Sequence, residues 1–184
     1  MAVCPRGFCR GRLRRLWSVP RTVVLGIGNV LLTDDGAGVH AARCLADGLA
    51  RGTLNAPSNV DVLDAGTLSF TLVPLIGDAE RLIVLDAMQL GEPAGTVRRF
   101  LDSDVDRVLS RARLSVHEVG LRDVLAAACL CGSLPRERAL IGVQPARIDW
   151  GSEPTEPVAA AIDELIHMTL DLLGDWPPAA GAPA

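Results

Sequence analysis

Residues 23–40 read VVLGIGNVLLTDDGAGVH, and this stretch decides the fold. Its apolar, β-branched start predicts a buried strand, and the glycines that follow predict a sharp turn. Two carboxylates, Asp34 and Asp35, come after the turn and directly before a helical pattern. Open α/β sheets bind their ligands just beyond the carboxyl ends of the strands. We therefore expect the functional site to include this loop.

The same glycines begin, but do not complete, a dinucleotide-binding fingerprint. Gly26 and Gly28 fit its first two positions, whereas Leu31 stands where the third glycine should be. Two adjacent acids would also repel a pyrophosphate at the start of a helix. Nucleotide binding is therefore disfavoured, and the simpler alternative is a glycine turn that only joins a strand to a helix.

Composition and charge narrow the class of protein. The 184 residues suit one domain with a substantial apolar core. The formal net charge is −4, although residues 1–21 contain six arginines and no acid, so the rest is strongly acidic. The absence of lysine excludes a lysine nucleophile. No stretch approaches the roughly 20 apolar residues that span a bilayer, so we expect neither a nucleic acid nor a membrane as partner.

Three regions are predicted along the chain. Residues 1–20 are rich in arginine and predict a disordered extension, residues 21–176 an α/β domain, and the Pro/Ala-rich residues 177–184 a frayed tail. The five cysteines lack metal-finger spacing, so we expect buried or partly buried free thiols in a reducing cytoplasm. An acidic monomer is the expected oligomeric state.

Strand and helix patterns alternate within the central region. The predicted strands are 22–25, 59–63, 81–85, 95–101 and 139–143, and the predicted helices are 38–50, 68–76, 117–130 and 155–173. This alternation predicts a single three-layer α/β/α domain with a mostly parallel, twisted sheet.

Acidic side chains follow three of the predicted strands. Asp35 follows the first strand, Asp64 ends the second and Asp86 ends the third, and the carboxyl ends of parallel strands share one edge. His117 begins a predicted helix that Ser115 could cap. Two carboxylates and an imidazole suit a borderline divalent cation. Strand-end acids also serve as helix caps, which remains the alternative.

Five motifs in order carry a family resemblance. They are Gly26-x-Gly28-Asn29-x-Leu31-x-x-Asp34-Asp35-Gly36-x-Gly38, Asp64-Ala65-Gly66-Thr67, Leu85-Asp86-Ala87, His117-Glu118-x-Gly120-Leu121 and Ile141-Gly142-Val143-Gln144-Pro145. Each motif alone is weak, but the ordered set is specific. It resembles the nickel–iron hydrogenase maturation proteases from about Thr22 to the final helix.

The resemblance implies a cytoplasmic endopeptidase that removes the C-terminal extension of a hydrogenase large-subunit precursor after nickel insertion. The nickel arrives with the precursor, and the family's nickel-binding positions correspond to Asp35, Asp86 and His117, the expected metal and catalytic residues. Many members carry Glu in place of Asp35. The residues that we expect to support the site are Gly26, Gly28, Asn29, Asp34, Asp64, Gly66 and Thr67.

Two mechanisms and two classes of protein remain open at this point. The ligands could use the nickel to polarise the scissile carbonyl or a water, or only recognise it while an unbound carboxylate activates water. A non-enzymatic nickel-sensing scaffold for the large subunit would need the same ligands. The chain lacks both Gly-x-Ser-x-Gly and His-Glu-x-x-His, which disfavours a serine enzyme and a resident-zinc protease.

Overall fold

Every residue of the first strand is buried, as its apolar sequence predicts. The computed structural model describes residues 21–67, 70–110 and 116–176, without the side chains of 116–119. The strands are β1 (Thr22–Ile27), β2 (Val60–Gly66), β3 (Arg81–Ala87), β4 (Val97–Leu101) and β5 (Glu137–Val143). The helices are α1 (Ala37–Arg51), α2 (Leu72–Gly77), α3 (Ser103–Leu109), α4 (Val116–Leu130) and α5 (Glu156–Asp175), and a 3₁₀ turn (Thr33–Gly36) precedes α1.

The five strands form one sheet in the order β2-β1-β3-β5-β4. The first four strands in this order are parallel, and β4 pairs antiparallel with β5 at the edge. One apolar core lies between the sheet and helices α1 and α5. A second core lies on the other face, under α2, α3 and α4. Both faces of the inner strands are therefore covered, which explains their continuous apolar sequences. The predicted three-layer α/β/α domain with a mostly parallel sheet is confirmed.

Two parts of the architecture differ from the sequence prediction. Helix α3 was not predicted; its seven residues bury Val105, Val108 and Leu109 at helical spacing. Helix α2 begins at Leu72 instead of residue 68, and residues 68–69 lie outside the described ones. Both helices are short, so the apolar periodicity that marks them spans only one or two turns.

The cysteine prediction was wrong about burial. Cys44, Cys129 and Cys131 are free thiols, as expected, but all three are exposed. Cys44 lies in α1, Cys129 in the last turn of α4 and Cys131 just after α4. The remaining cysteines, Cys4 and Cys9, lie in residues 1–20, outside the described part of the chain, as do residues 177–184 and Ser115.

Within the described ranges, none of the helices combines the length and the apolar character that a membrane crossing requires.

Candidate active site at the carboxyl edge of the sheet

The loops that carry the predicted site residues follow neighbouring strands. Strand β1 lies between β2 and β3, with Gly26 in register with Asp64 on one side and with Leu85 on the other. Asp86 is therefore one residue further along β3 than this register point. Asp64 and Asp86 therefore both lie at the carboxyl edge of the sheet, on either side of β1.

Two glycines bring the β1 loop and helix α1 directly onto this edge. A Cβ atom on Gly38 would lie 2.1 Å from the Leu85 carbonyl oxygen and 2.5 Å from that of Ile27. The start of α1 thus packs against the ends of both β1 and β3. At Gly28, where φ is +131°, a Cβ atom would lie 1.9 Å from the carbonyl oxygen of Asp35. Only glycine permits these two backbone approaches.

Asp35 lies in the 3₁₀ turn between β1 and α1 and is 6% exposed. The backbone N–H of Asn29 donates a hydrogen bond to its Oδ2 at 3.0 Å. A second hydrogen bond, from the Asp35 N–H to the Leu32 carbonyl at 2.9 Å, closes the turn. The carboxylate is therefore held at the edge by the glycine-rich loop itself.

Asp86, near the end of β3, is fully buried with 0% exposure. Strand alternation places it on the same face as Leu82 and Val84, which is the face covered by α4. Its register partner on β5 is Gly142, against which the side chain of Met88 packs. Burial of a carboxylate is costly unless it is hydrogen-bonded, paired or bound to a cation.

His117 is the second residue of α4, and its side chain lies outside the described part of the structure. Six residues separate the end of α4 from the start of β5, which lies at the edge of the sheet opposite the carboxyl edge. Its first turn therefore points toward the carboxyl edge, on the face of Asp86. Among the described side chains, which do not include that of His117, no three His, Cys, Asp or Glu residues form a metal-binding group.

Asp34, the first acid of the pair, is fully buried and has a different set of partners from Asp35. The backbone N–H groups of Ala146 and Arg147 donate to its Oδ2 at 2.9 and 2.8 Å. Thr155 donates twice, from its N–H to Oδ1 at 2.6 Å and from its hydroxyl to Oδ2 at 2.9 Å. Burial raises the pKa of the Asp34 carboxyl, but these hydrogen bonds outweigh it and hold that pKa below its ordinary value of 3.8. Asp34 therefore fastens the β1 loop to the segment between β5 and α5.

A short pairing of two loops continues this connection. The Thr33 N–H donates to the Gly151 carbonyl at 2.7 Å, and the Gly151 N–H donates to the Leu31 carbonyl at 3.0 Å. The Thr33 hydroxyl donates to the Arg147 carbonyl at 2.9 Å and accepts from the Asp149 N–H at 3.1 Å. We call residues 29–33 and 146–151 the paired loops.

Residues 64–67, which comprise the end of β2 and the turn after it and are called the β2 loop, are more open than residues 28–36, called the β1 loop. Asp64 accepts a hydrogen bond from the Gly66 N–H at 3.0 Å, which forms an Asx turn, and its other oxygen pairs with Arg43 at 2.6 Å. The Gly66 carbonyl accepts the Gly28 N–H at 2.8 Å, which ties the two loops together. Thr67 is exposed just beyond the turn. Because β1 separates β2 from β3, Asp64 lies roughly 10 Å from Asp86 along the sheet.

Sequence reasoning assigned no role to Gln144, the residue that follows β5. Its side chain is buried, and its Oε1 accepts hydrogen bonds from the N–H groups of Leu90 and Gly91 at 2.7 and 2.9 Å. Its amide nitrogen donates to the carbonyl of Pro145 at 3.1 Å. Gln144 thus shapes the turn that follows Asp86. The sequence signal that could have indicated a role for Gln144 was its position in the motif Ile141-Gly142-Val143-Gln144-Pro145.

Known proteins resemble this chain along most of its length. A family model described as hydrogenase maturation protease, HycI, matches residues 45–172. The hydrogenase expression/formation protein HoxM of Azotobacter vinelandii is 37% identical over 159 residues, covering 86% of this chain and 74% of that protein. HupD of Bradyrhizobium diazoefficiens is 38% identical over 157 residues, covering 85% and 79%.

Solved structures are similar to this chain in fold as well as in sequence. The hydrogenase maturating endopeptidase HybD from Escherichia coli superimposes with a TM-score of 0.75 at 30% identity, covering 84% of this chain and 93% of that one. HybD from Thermococcus kodakarensis gives 0.70 at 30% identity, covering 83% and 99%. Fold and relatives together define an α/β protein of the maturation-protease class. The chain belongs to the hydrogenase maturation protease family, so the resemblance found in the sequence is confirmed.

Proposed function

We propose that this chain is an endopeptidase that removes the C-terminal extension of a nickel–iron hydrogenase large-subunit precursor once nickel has been inserted. The observation that carries the proposal is the burial of Asp35 and Asp86 at the carboxyl edge of adjacent strands, in a member of this protease family. Both carboxylates lie where an α/β sheet binds ligands.

The nickel in this proposal belongs to the substrate. Asp35, Asp86 and His117 supply two carboxylates and one imidazole, a donor set that suits a borderline divalent ion. Three protein ligands leave other positions for groups of the precursor. These side chains would hold the nickel at the sheet edge, where it would supply a positive charge that polarises the scissile carbonyl or a water. A precursor without nickel would lack this attachment and would escape cleavage.

The proposal includes a cytoplasmic monomer. Cys44, Cys129 and Cys131 are free and exposed, and exposed free thiols persist best in a reducing compartment. The acidic net charge favours solubility without attracting nucleic acid.

The test is to incubate the purified chain with nickel-loaded and nickel-free precursor and to measure the precursor's C-terminus by mass spectrometry. We expect cleavage of the loaded form alone. Asp86→Asn and His117→Ala should each slow cleavage by at least about 100-fold, because even groups that only orient a metal ligand are worth about 10–100-fold.

Matched controls are available on the surface. Asp47→Asn changes an exposed acid of α1, and His167→Ala changes an exposed histidine of α5, so both should process normally. Equal cleavage of nickel-free precursor would contradict nickel recognition, and normal cleavage by either site variant would remove that residue's role. Tight binding without cleavage of either precursor would favour the scaffold.

A further inference from the structure

Large apolar side chains are exposed mainly at one end of the described structure. Among the described residues these side chains are Leu31, Phe70, Leu101, Leu130, Ile148 and Trp150. Four of them lie in loops that follow β1, β2 and β5 at the carboxyl edge: Leu31, Phe70, Ile148 and Trp150. Single exposed apolar residues are ordinary, but several together at one end mark a binding surface.

The paired loops hold three of these side chains on an ordered backbone. Leu32 pairs with Gly151, so Leu31 and Trp150 take corresponding positions just before this point. Two of the hydrogen bonds accepted by Asp34, from the N–H groups of Ala146 and Arg147, hold the second loop in place. Trp150 is 80% exposed on this support. A surface that is already ordered loses little conformational entropy when a partner binds.

We propose that the paired loops, residues 29–33 and 146–151, are the docking surface for the large-subunit precursor, with Trp150 as the main anchor. This inference rests on the proposed function and adds the surface that seats the substrate. Tryptophan is one of the residue types that are enriched at the energetic centre of protein interfaces. Arg147 and Asp149 are exposed on the same loops and supply a polar rim.

The occupant is argued from the position of the loops. Thr33 belongs both to the paired loops and to the 3₁₀ turn that carries Asp35. A protein seated on these loops therefore also covers the acids at the edge. A substrate whose scissile bond must reach Asp35 satisfies this requirement, whereas a second copy of the chain seated there would close off the site.

The test compares Trp150→Ser and Leu31→Ser with Leu130→Ser. Leu130 is 90% exposed at the end of α4, at the opposite edge of the sheet, and so provides a matched control. With nickel-loaded precursor, Trp150→Ser should raise KM about 30-fold with kcat unchanged. Leu31→Ser should raise KM about 5-fold, and Leu130→Ser should stay within about 2-fold of the unmodified protein. Direct binding is measured in parallel in a His117→Ala background, in which cleavage does not consume the precursor, and each loop variant is compared with His117→Ala alone because that change itself removes a proposed nickel ligand.

Each outcome bears on one claim. Normal KM and normal binding in Trp150→Ser, with cleavage intact, would overturn the docking surface and leave the proposed function standing. If the unmodified protein neither bound nor cleaved the loaded precursor, both proposals would fall. If sedimentation showed a dimer that Trp150→Ser separates, while precursor binding stayed normal, the surface would belong to self-association and the docking proposal would be wrong.

Discussion

The loops that follow β1 and β2 have similar chemistry but different surroundings. Each contains a glycine with positive φ, Gly28 at +131° and Gly66 at +50°, and each carries an aspartate. In the β1 loop, Asp34 is fully buried and accepts hydrogen bonds from residues more than a hundred positions away. In the β2 loop, Asp64 is exposed, and its described partners are its near neighbour Gly66 and Arg43 of the adjacent helix.

The difference shows that acids at neighbouring strand ends are not equivalent. A buried carboxylate with several donors connects distant parts of the chain, since leaving those donors unmet costs free energy. An exposed ion pair is screened by water and contributes little. The β1 loop therefore holds the edge together, and the β2 loop shapes a local turn.

The largest effect is expected from the glycines of the two loops. In Gly28→Ala the new Cβ would overlap the Asp35 carbonyl at 1.9 Å, and backbone atoms cannot move aside cheaply. We expect a loss of more than about 3 kcal/mol in the free energy of unfolding. In Gly66→Ala the nearest atom is 3.9 Å away, so only the left-handed backbone opposes the change, at about 1 kcal/mol.

Urea-induced unfolding of both glycine variants measures this contrast. Equal losses in the two variants would show that the close approach at Gly28 has room to relax, and the distinction between the loops would then rest on the acids alone.

The next effect concerns Asp34. Asp34→Asn removes the charge that four hydrogen bonds stabilise and turns an amide N–H₂ toward groups that also donate. We expect about 2–3 kcal/mol of lost stability near pH 7. Processing activity should fall as well, because the variant releases the segment that supports the turn of Asp35.

The pKa of Asp34 determines how the stability difference between the unmodified protein and Asp34→Asn depends on pH. The folded-state pKa of Asp34 lies below its ordinary value of 3.8, so the folded state favours the charged form. The stabilisation is complete above that ordinary value and is lost as the pH falls through the lower, folded-state pKa. The stability gap between the unmodified protein and Asp34→Asn should therefore narrow below about pH 4. A gap that stayed constant down to pH 2 would mean that the charge of Asp34 is not what stabilises it.

The smallest effect is expected at Asp64. Asp64→Asn removes the exposed ion pair with Arg43 but keeps an oxygen that can accept the Gly66 N–H. We expect a change within about 1 kcal/mol, further reduced by added salt. Thermal melting at low and high salt measures it. A loss as large as that of Asp34→Asn would erase the contrast between the two loops.

Much of the fold follows from local sequence. The buried strands β1 and β3 are continuous apolar runs, and the helices α1 and α5 are long enough to show their apolar stripes. The antiparallel direction of β4 has no such signal, because direction depends on which edge the chain reaches after β3. The short α3 follows Asp102, whose φ of +40° marks an irregular start that residue types do not announce.

The candidate site also has features that the local sequence predicts and features that it does not. The positions of Asp35 and Asp86 follow from strand ends and motifs. The partners of Asp34 lie between Ala146 and Thr155, and no local pattern links a carboxylate to backbone groups so far away. The roles of Asp35, Asp86 and His117 in binding nickel stay predictions, as does the supporting role of the loop residues.

Strand β5 supplies none of the proposed ligands. The four residues that follow it, 144–147, nevertheless contact both the loop that carries Asp35 and the turn after Asp86. Gln144 accepts a hydrogen bond from the turn after Asp86, and the backbone N–H groups of Ala146 and Arg147 donate to Asp34. The distance between Asp35 and Asp86 therefore depends on a segment that contributes no proposed ligand. An added or missing residue between 144 and 147 would shift one acid relative to the other while leaving every proposed ligand intact.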